Sequence, residues 1–81
     1  MTDDEVRAKV VAIIRSIAPE VEEGTIASSR PLRDQVDLDS MDWLNVIIGV
    51  HEKLHVDIPE GDYGKLRTLD DWVAYLRGQL A

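Results

Sequence analysis

The stretch LRDQVDLDSMDWLNVIIGVHEKLH, residues 32–55, changes character at Ser40. Before that position apolar residues are isolated. After it, Met41, Leu44, Ile47, Ile48 and Leu54 keep helical spacing with no interrupting proline, which predicts a helix from Ser40 to about His55. At ~100° per residue, Met41, Trp43, Leu44, Val46, Ile47, Ile48, Val50 and Leu54 cover more than half the circumference of this helix. The polar remainder is a narrow arc of Asp42, Asn45, Gly49, Glu52 and Lys53. A surface helix needs an apolar stripe only ~100° wide, so part of this face is expected to meet something besides its own core. Gly49, at a cost of up to ~1 kcal/mol in a helix interior, hints at close packing.

Working outward, Thr2 followed by Glu5 is a capping-box pattern. Val6, Val10, Ile13, Ile14 and Ile17 recur behind it until Pro19 disfavours helical geometry, giving a first helix from Asp3 to about Ala18. From Pro19 to Asp39 the periodicity lapses, with isolated apolar residues at Val21, Ile26, Leu32, Val36 and Leu38. A connection above ~15 residues usually carries function or hides a helical turn, and the spaced apolar residues suggest that this one is pinned across the core. Pro59, Gly61 and Gly64 limit the segment from Val56 to Arg67 to one helical turn around Asp62 to Lys65. Thr68 and Asp71 then start a last helix whose apolar positions are Leu69, Trp72, Val73, Leu76 and Leu80. The expected fold is a small all-α four-helix bundle, residues 1–81 as one domain, with a long first loop and a short third helix. Its expected core is Val6, Val10, Ile13, Ile17, Leu38, Ile47, Val50, Leu54, Ile58, Leu66, Leu69, Trp72, Val73 and Leu76.

Composition restricts the function. Apolar types make up 44 % and charged types 31 % of the 81 residues, ordinary for one small folded domain and too apolar for disorder. Sixteen acidic against nine basic residues give a net charge of −7, which repels nucleic-acid backbones and anionic lipid and favours basic protein partners. No cysteine is present, so a disulfide framework and a cysteine-ligated zinc site are excluded, and any thiol chemistry must come from a cofactor. The acidic N-terminus is unlike a signal peptide and no apolar run is long enough to span a bilayer, so the expected location is the cytoplasm, without membrane insertion.

Three patterns invite a chemical reading. His51-Glu52-Lys53-Leu54-His55 matches H-E-x-x-H, in which two imidazoles one turn apart bind zinc. Gly61 stands where the extended motif has its third histidine, and the short chain leaves little room for a cleft, so no metal site is expected. Asp37, Asp39 and Asp42 fail as a calcium loop because Met41 occupies the third ligand position. A Ser-His-Asp triad of Ser40, His51 and Asp39 fails because Ser40 and His51 lie eleven residues apart on one helix, ~16 Å along its axis. Ser40 itself has two readings: an N-cap or first-turn serine, or a hydroxyl on an exposed helix start, where amides and the dipole favour a covalently attached phosphate.

Asp39-Ser40-Met41, preceded by Leu32 to Leu38 and followed by Asp42 and by Val56-Asp57-Ile58-Pro59-Glu60, resembles the acyl carrier protein family. The similarity covers nearly the whole chain. It implies a carrier and not an enzyme, with 4′-phosphopantetheine from coenzyme A attached to Ser40, flanked by Asp39 and Met41, and acyl groups held as thioesters on the cofactor thiol. The implied partners are a phosphopantetheinyl transferase and acyl-transferring or acyl-modifying enzymes with basic patches, met by a monomer through Asp42, Leu44, Asn45, Ile48, His51 and Glu52. Asp37 stands where the family usually has glycine, and Asn45 and His51 where it commonly has docking glutamates. That difference points away from general fatty acid synthesis and toward a specialised lipid or secondary-metabolite pathway such as polyketide assembly. The rival readings are a peptidyl or aminoacyl carrier, whose usual G-G-x-S is absent, an unmodified helical interaction module, and a minimal zinc hydrolase.

Overall fold

The computed structural model describes residues 2–22 and 24–80; Met1, Glu23 and Ala81, which the one-domain expectation includes, lie outside the described residues. Helix α1 spans Asp3–Ile17, α2 Leu32–Gln35, α3 Ser40–Leu54 and α4 Leu69–Leu80, with a 3-10 helix at Glu60–Lys65 between the last two. Among the described residues there is no strand, only an isolated antiparallel bridge between Pro31 and Thr68. The all-α bundle read from the periodicity is therefore the fold, with α1 packed against both α3 and α4.

Both predicted capping boxes form. The Glu5 amide donates to Thr2 Oγ1 at 3.2 Å and the Thr2 amide to Glu5 Oε1 at 3.1 Å. These Thr2 hydrogen bonds, the backbone one first, hold the Glu5 carboxyl below its usual range. At α4 the Asp71 amide donates to Thr68 Oγ1 at 3.0 Å and the Thr68 amide to Asp71 Oδ2 at 3.2 Å. Helix α3 stops one residue earlier than the periodicity suggests, because His55 adopts the left-handed conformation (φ 56°) and caps it.

The connection after α1 hides a helical turn, one of the two readings its length allows: α2, whose four residues are too few to show a period. Gln35 fastens that connection: its Oε1 accepts the Ala27 amide at 2.6 Å, while its Nε2 donates to the carbonyls of Ala27 and Arg30 at 2.9 and 3.0 Å. The short helix near residue 62 begins two positions earlier than expected, directly after Pro59, and is of the 3-10 type. In the core, Ile17 and Ile58 are only partly buried, whereas Val11, Ile14, Ala18, Leu32, Val36, Val46 and Val56 join the buried set. The other expected core residues are buried as read.

Two contacts fix the frame around α3. A Cβ on Gly49 would lie 2.8 Å from Ile13 Cγ2, so glycine lets α3 approach α1 closely. The Tyr75 hydroxyl of α4 donates to Asp62 Oδ2 at 2.8 Å, and Lys65 Nζ lies 3.1 Å from Asp62 Oδ1, tying the 3-10 helix down. The Tyr75 hydrogen bond, then Lys65, lowers the Asp62 carboxyl pKa. Burial, then Asp62, raises that of Tyr75.

Gly49→Ala is expected to destabilise the protein. The gain in helix propensity is about 0.5–1 kcal/mol, while the methyl collides with a β-branched side chain whose χ1 is locked, an overpacking cost of about 1–3 kcal/mol. Urea unfolding measures the balance.

The Asp62–Tyr75 bond predicts a pH signature. A lowered carboxyl pKa contributes stability above the unfolded value of ~3.9 that is lost as pH falls through the folded value. A raised tyrosine pKa contributes stability below ~10 that is lost as pH rises through the folded value. Tyr75→Phe should therefore be most destabilising between those limits, with the deficit shrinking at both ends of a pH series of urea midpoints.

Candidate attachment site and docking face

The chain enters α3 through two buried anchors. Val36 and Leu38 both point into the core, and the Leu38 amide donates to the Val36 carbonyl at 2.8 Å, a three-residue turn with Asp37 at its tip. Asp37 does not take positive φ. The turn is thus made without the glycine usual at that position.

Asp39 is the N-cap. Its Oδ1 accepts the Asp42 amide at 2.8 Å and its carbonyl accepts the Trp43 amide at 2.9 Å. Ser40 is therefore the first residue of α3 rather than its cap, and its side chain is exposed. Among the described residues its hydroxyl has no hydrogen-bond partner. The amides of Ser40 and Met41 are the first-turn donors left over, and they point toward the end where a phosphate on Ser40 would sit. Asp37, Asp39 and Asp42 oppose that charge, so the local field is mixed. An exposed, unbonded hydroxyl beside free helix-start amides fits a covalently attached phosphodiester.

Along α3 two faces separate. Val46, Ile47, Val50 and Leu54 are buried. Met41, Leu44 and Ile48 remain 67 %, 41 % and 51 % exposed, within about 60° of one another at ~100° per residue. Asn45, Glu52 and His51 flank this stripe, while Asp42 lies further round, half-buried. Such an exposed apolar stripe with a polar border suits a partner-binding surface. Trp43 is half-buried and meets the fully buried Trp72 edge to face, with centroids 5.8 Å apart and an interplanar angle of 67°.

His51 is less available than its position suggests. Its Nδ1 lies 3.1 Å from the Val56 carbonyl and 3.1 Å from Asp57 Oδ1, so it fastens the chain leaving α3. His55 has already left the helix as its left-handed cap. The two imidazoles therefore do not present the one-turn register of a zinc pair, and no group of three or more metal-ligating side chains occurs among the described residues.

Residues 8–76 match the sequence profile of the family described as "Phosphopantetheine attachment site". The chain belongs to that family. Its prosthetic group is 4′-phosphopantetheine; proteins of the acyl carrier type are carriers and not enzymes. Among related sequences, the meromycolate extension acyl carrier protein of Mycobacterium tuberculosis (strain ATCC 25618 / H37Rv) is 30 % identical over 77 residues, covering 95 % of this chain and 66 % of that protein. An acyl carrier protein of Kineococcus radiotolerans is 33 % identical over 52 residues, 64 % of each chain. That of Rhodococcus erythropolis is 26 % identical over 76 residues, 94 % of this chain and 82 % of its own. The chain thus spans just under two thirds of the length of the first two.

The separation of cap from attachment candidate gives a paired prediction. Asp39→Ala should cost about 0.5–2 kcal/mol through loss of the cap. Ser40→Ala should change stability by no more than about 0.5 kcal/mol. Thermal unfolding of both variants checks the assignment.

Proposed function

We propose that Ser40 carries 4′-phosphopantetheine and that acyl groups travel on it as thioesters, in a specialised lipid or secondary-metabolite pathway. The observation that carries this reading is the exposed hydroxyl of Ser40 at the start of α3, adjoining the exposed stripe of Met41, Leu44 and Ile48. The arm supplies the thiol that a chain without cysteine lacks. The chain's own residues do the rest. Asp39 fixes the helix start, Met41 adjoins the attachment point, and the stripe gives a transferase or acyl-handling enzyme an apolar contact beside the reacting group.

Charge supports the same partners. With a net charge of −7, the protein is attracted to enzymes bearing basic patches, and Asp42 and Glu52 supply acidic contacts near the stripe. Asn45 and His51 leave the docking border less acidic than two glutamates would, which supports partners outside general fatty acid synthesis. The name of the mycobacterial relative, a meromycolate extension carrier, supports a lipid pathway. In this reading residues 1–81 form one carrier domain that works as a monomer in the cytoplasm. No helix among the described residues is long and apolar enough to cross a membrane.

Intact mass after incubation with coenzyme A and a broad-specificity phosphopantetheinyl transferase tests the attachment. The wild type should gain one phosphopantetheine and Ser40→Ala none; a gain by the variant, or no gain by the wild type, refutes the assignment. For partner choice, Asn45→Glu should raise the rate of acyl transfer from a general-pathway transferase roughly 2–10-fold at low salt, with a steeper decline as salt rises. His51 is unsuitable for that test, because a glutamate there would face Asp57.

A further inference from the structure

Counting ~100° per residue along α3, Ser40, Trp43, Ile47 and His51 form one ridge, of which Trp43, Ile47 and His51 line clefts shared with Tyr63 of the 3-10 helix. Trp43 begins one turn, ~4.5 Å of helical rise, below Ser40. It forms a wall of a cavity of about 520 Å³ whose other lining residues are Pro31, Arg33, Asp34, Tyr63, Gly64, Leu66 and Arg67. That volume lies in the usual range for small-molecule sites.

Its chemistry departs from the acidic average of the chain. Arg33 and Arg67 stand thirty-four positions apart (67 − 33) in the sequence, yet share this cavity. The backbone brings them together: the Leu32 amide donates to the Arg67 carbonyl at 2.8 Å, and Pro31 and Thr68 form the antiparallel bridge. Neither guanidinium has an ion-pair or hydrogen-bond partner among the described residues. Asp34 is the one carboxylate on the lining, so the cleft is locally cationic on a protein of net charge −7. Trp43, Tyr63, Leu66 and Pro31 supply apolar surface between the two arginines and the ridge that begins at Ser40.

We propose that this cleft holds the tail of an acyl cargo that ends in a carboxylate, a dicarboxylic acyl group. The methylenes pack on Trp43 and Tyr63, and the terminal carboxylate accepts from Arg33 and Arg67, whose planar forks suit it. The proposal rests on Ser40 as the attachment point. Tethering there makes the docking intramolecular, so that an effective concentration in the mM range sustains it although each contact is weak.

The test compares two cargoes with the same carbon chain, with and without the terminal carboxylate. Protein loaded through the transferase from adipoyl-coenzyme A or hexanoyl-coenzyme A is followed by NMR at the Arg33 and Arg67 Nε–H and Trp43 indole signals. The adipoyl form should shift all three. The hexanoyl form should leave the arginine signals in place, and Arg33→Gln combined with Arg67→Gln should abolish the difference without lowering the melting temperature. Identical arginine signals for the two cargoes, or a difference that survives in the double variant, overturn the proposal. In parallel, free adipate is titrated into the unmodified protein, where the double variant should bind about tenfold more weakly. Failure of the transferase to modify Ser40 refutes the attachment reading and the tethered cargo with it, while the adipate titration still decides whether the cleft recognises a dicarboxylate. Adipate shifts equal in wild type and double variant count against the cleft itself.

Discussion

The close approach of α3 to α1 at Gly49 sets the depth at which α3 lies, and the rest of the site follows from that depth. With no side chain at residue 49, Val46, Ile47, Val50 and Leu54 reach the core together, opposite the β-branched Ile13. A helix seated so firmly on one face holds its other face still without help. Met41, Leu44 and Ile48 therefore remain exposed in a fixed row, at no expense to the core. The glycine's helix-propensity cost of up to ~1 kcal/mol is offset by burial of that inner face, since each fully buried aliphatic side chain contributes about 1.5–3 kcal/mol.

The start of α3 shows a similar division of labour. Val36 and Leu38 fasten the approaching chain to the core and Asp39 caps the helix, so Ser40 carries no structural duty that another small residue would fail to perform. Its hydroxyl is left exposed. Asp37 and Asp39 do not undermine this, because they are exposed and water screens them.

Much of this was legible in the sequence. The helical periods of α1, α3 and α4, the Thr2 and Thr68 capping boxes, and the over-wide apolar face of α3 each translate directly into an observed feature, because each is a local regularity. Leu44 and Ile48, docking residues by resemblance, do lie on the exposed part of that face, beside Met41. Features that depend on meeting distant chain were not legible. Gln35 looks like an ordinary polar residue until the connection folds back to offer it Ala27 and Arg30. Arg33 and Arg67 share a cleft only because a backbone bridge between Pro31 and Thr68, residues distant in the sequence, aligns them. His51 reads as a docking residue by position, yet the left-handed turn at His55 returns Val56 and Asp57 to its ring. The expected core omits Val46, counted only within the wide apolar face of α3, and Val56, because the segment between α3 and α4 has no helical period to single it out.

The two tryptophans have a different consequence. Trp72 is sealed in the centre of the bundle, while Trp43 touches it edge to face and also walls the cleft below Ser40. One aromatic pair thus spans the distance from solvent to the interior. Emission and near-ultraviolet dichroism of such a pair depend on the mutual orientation of the rings and on what surrounds the outer one. The protein consequently contains its own optical gauge: a change of occupancy in the cleft alters the signal of Trp43, and loosening of the bundle alters that of Trp72, with no label attached.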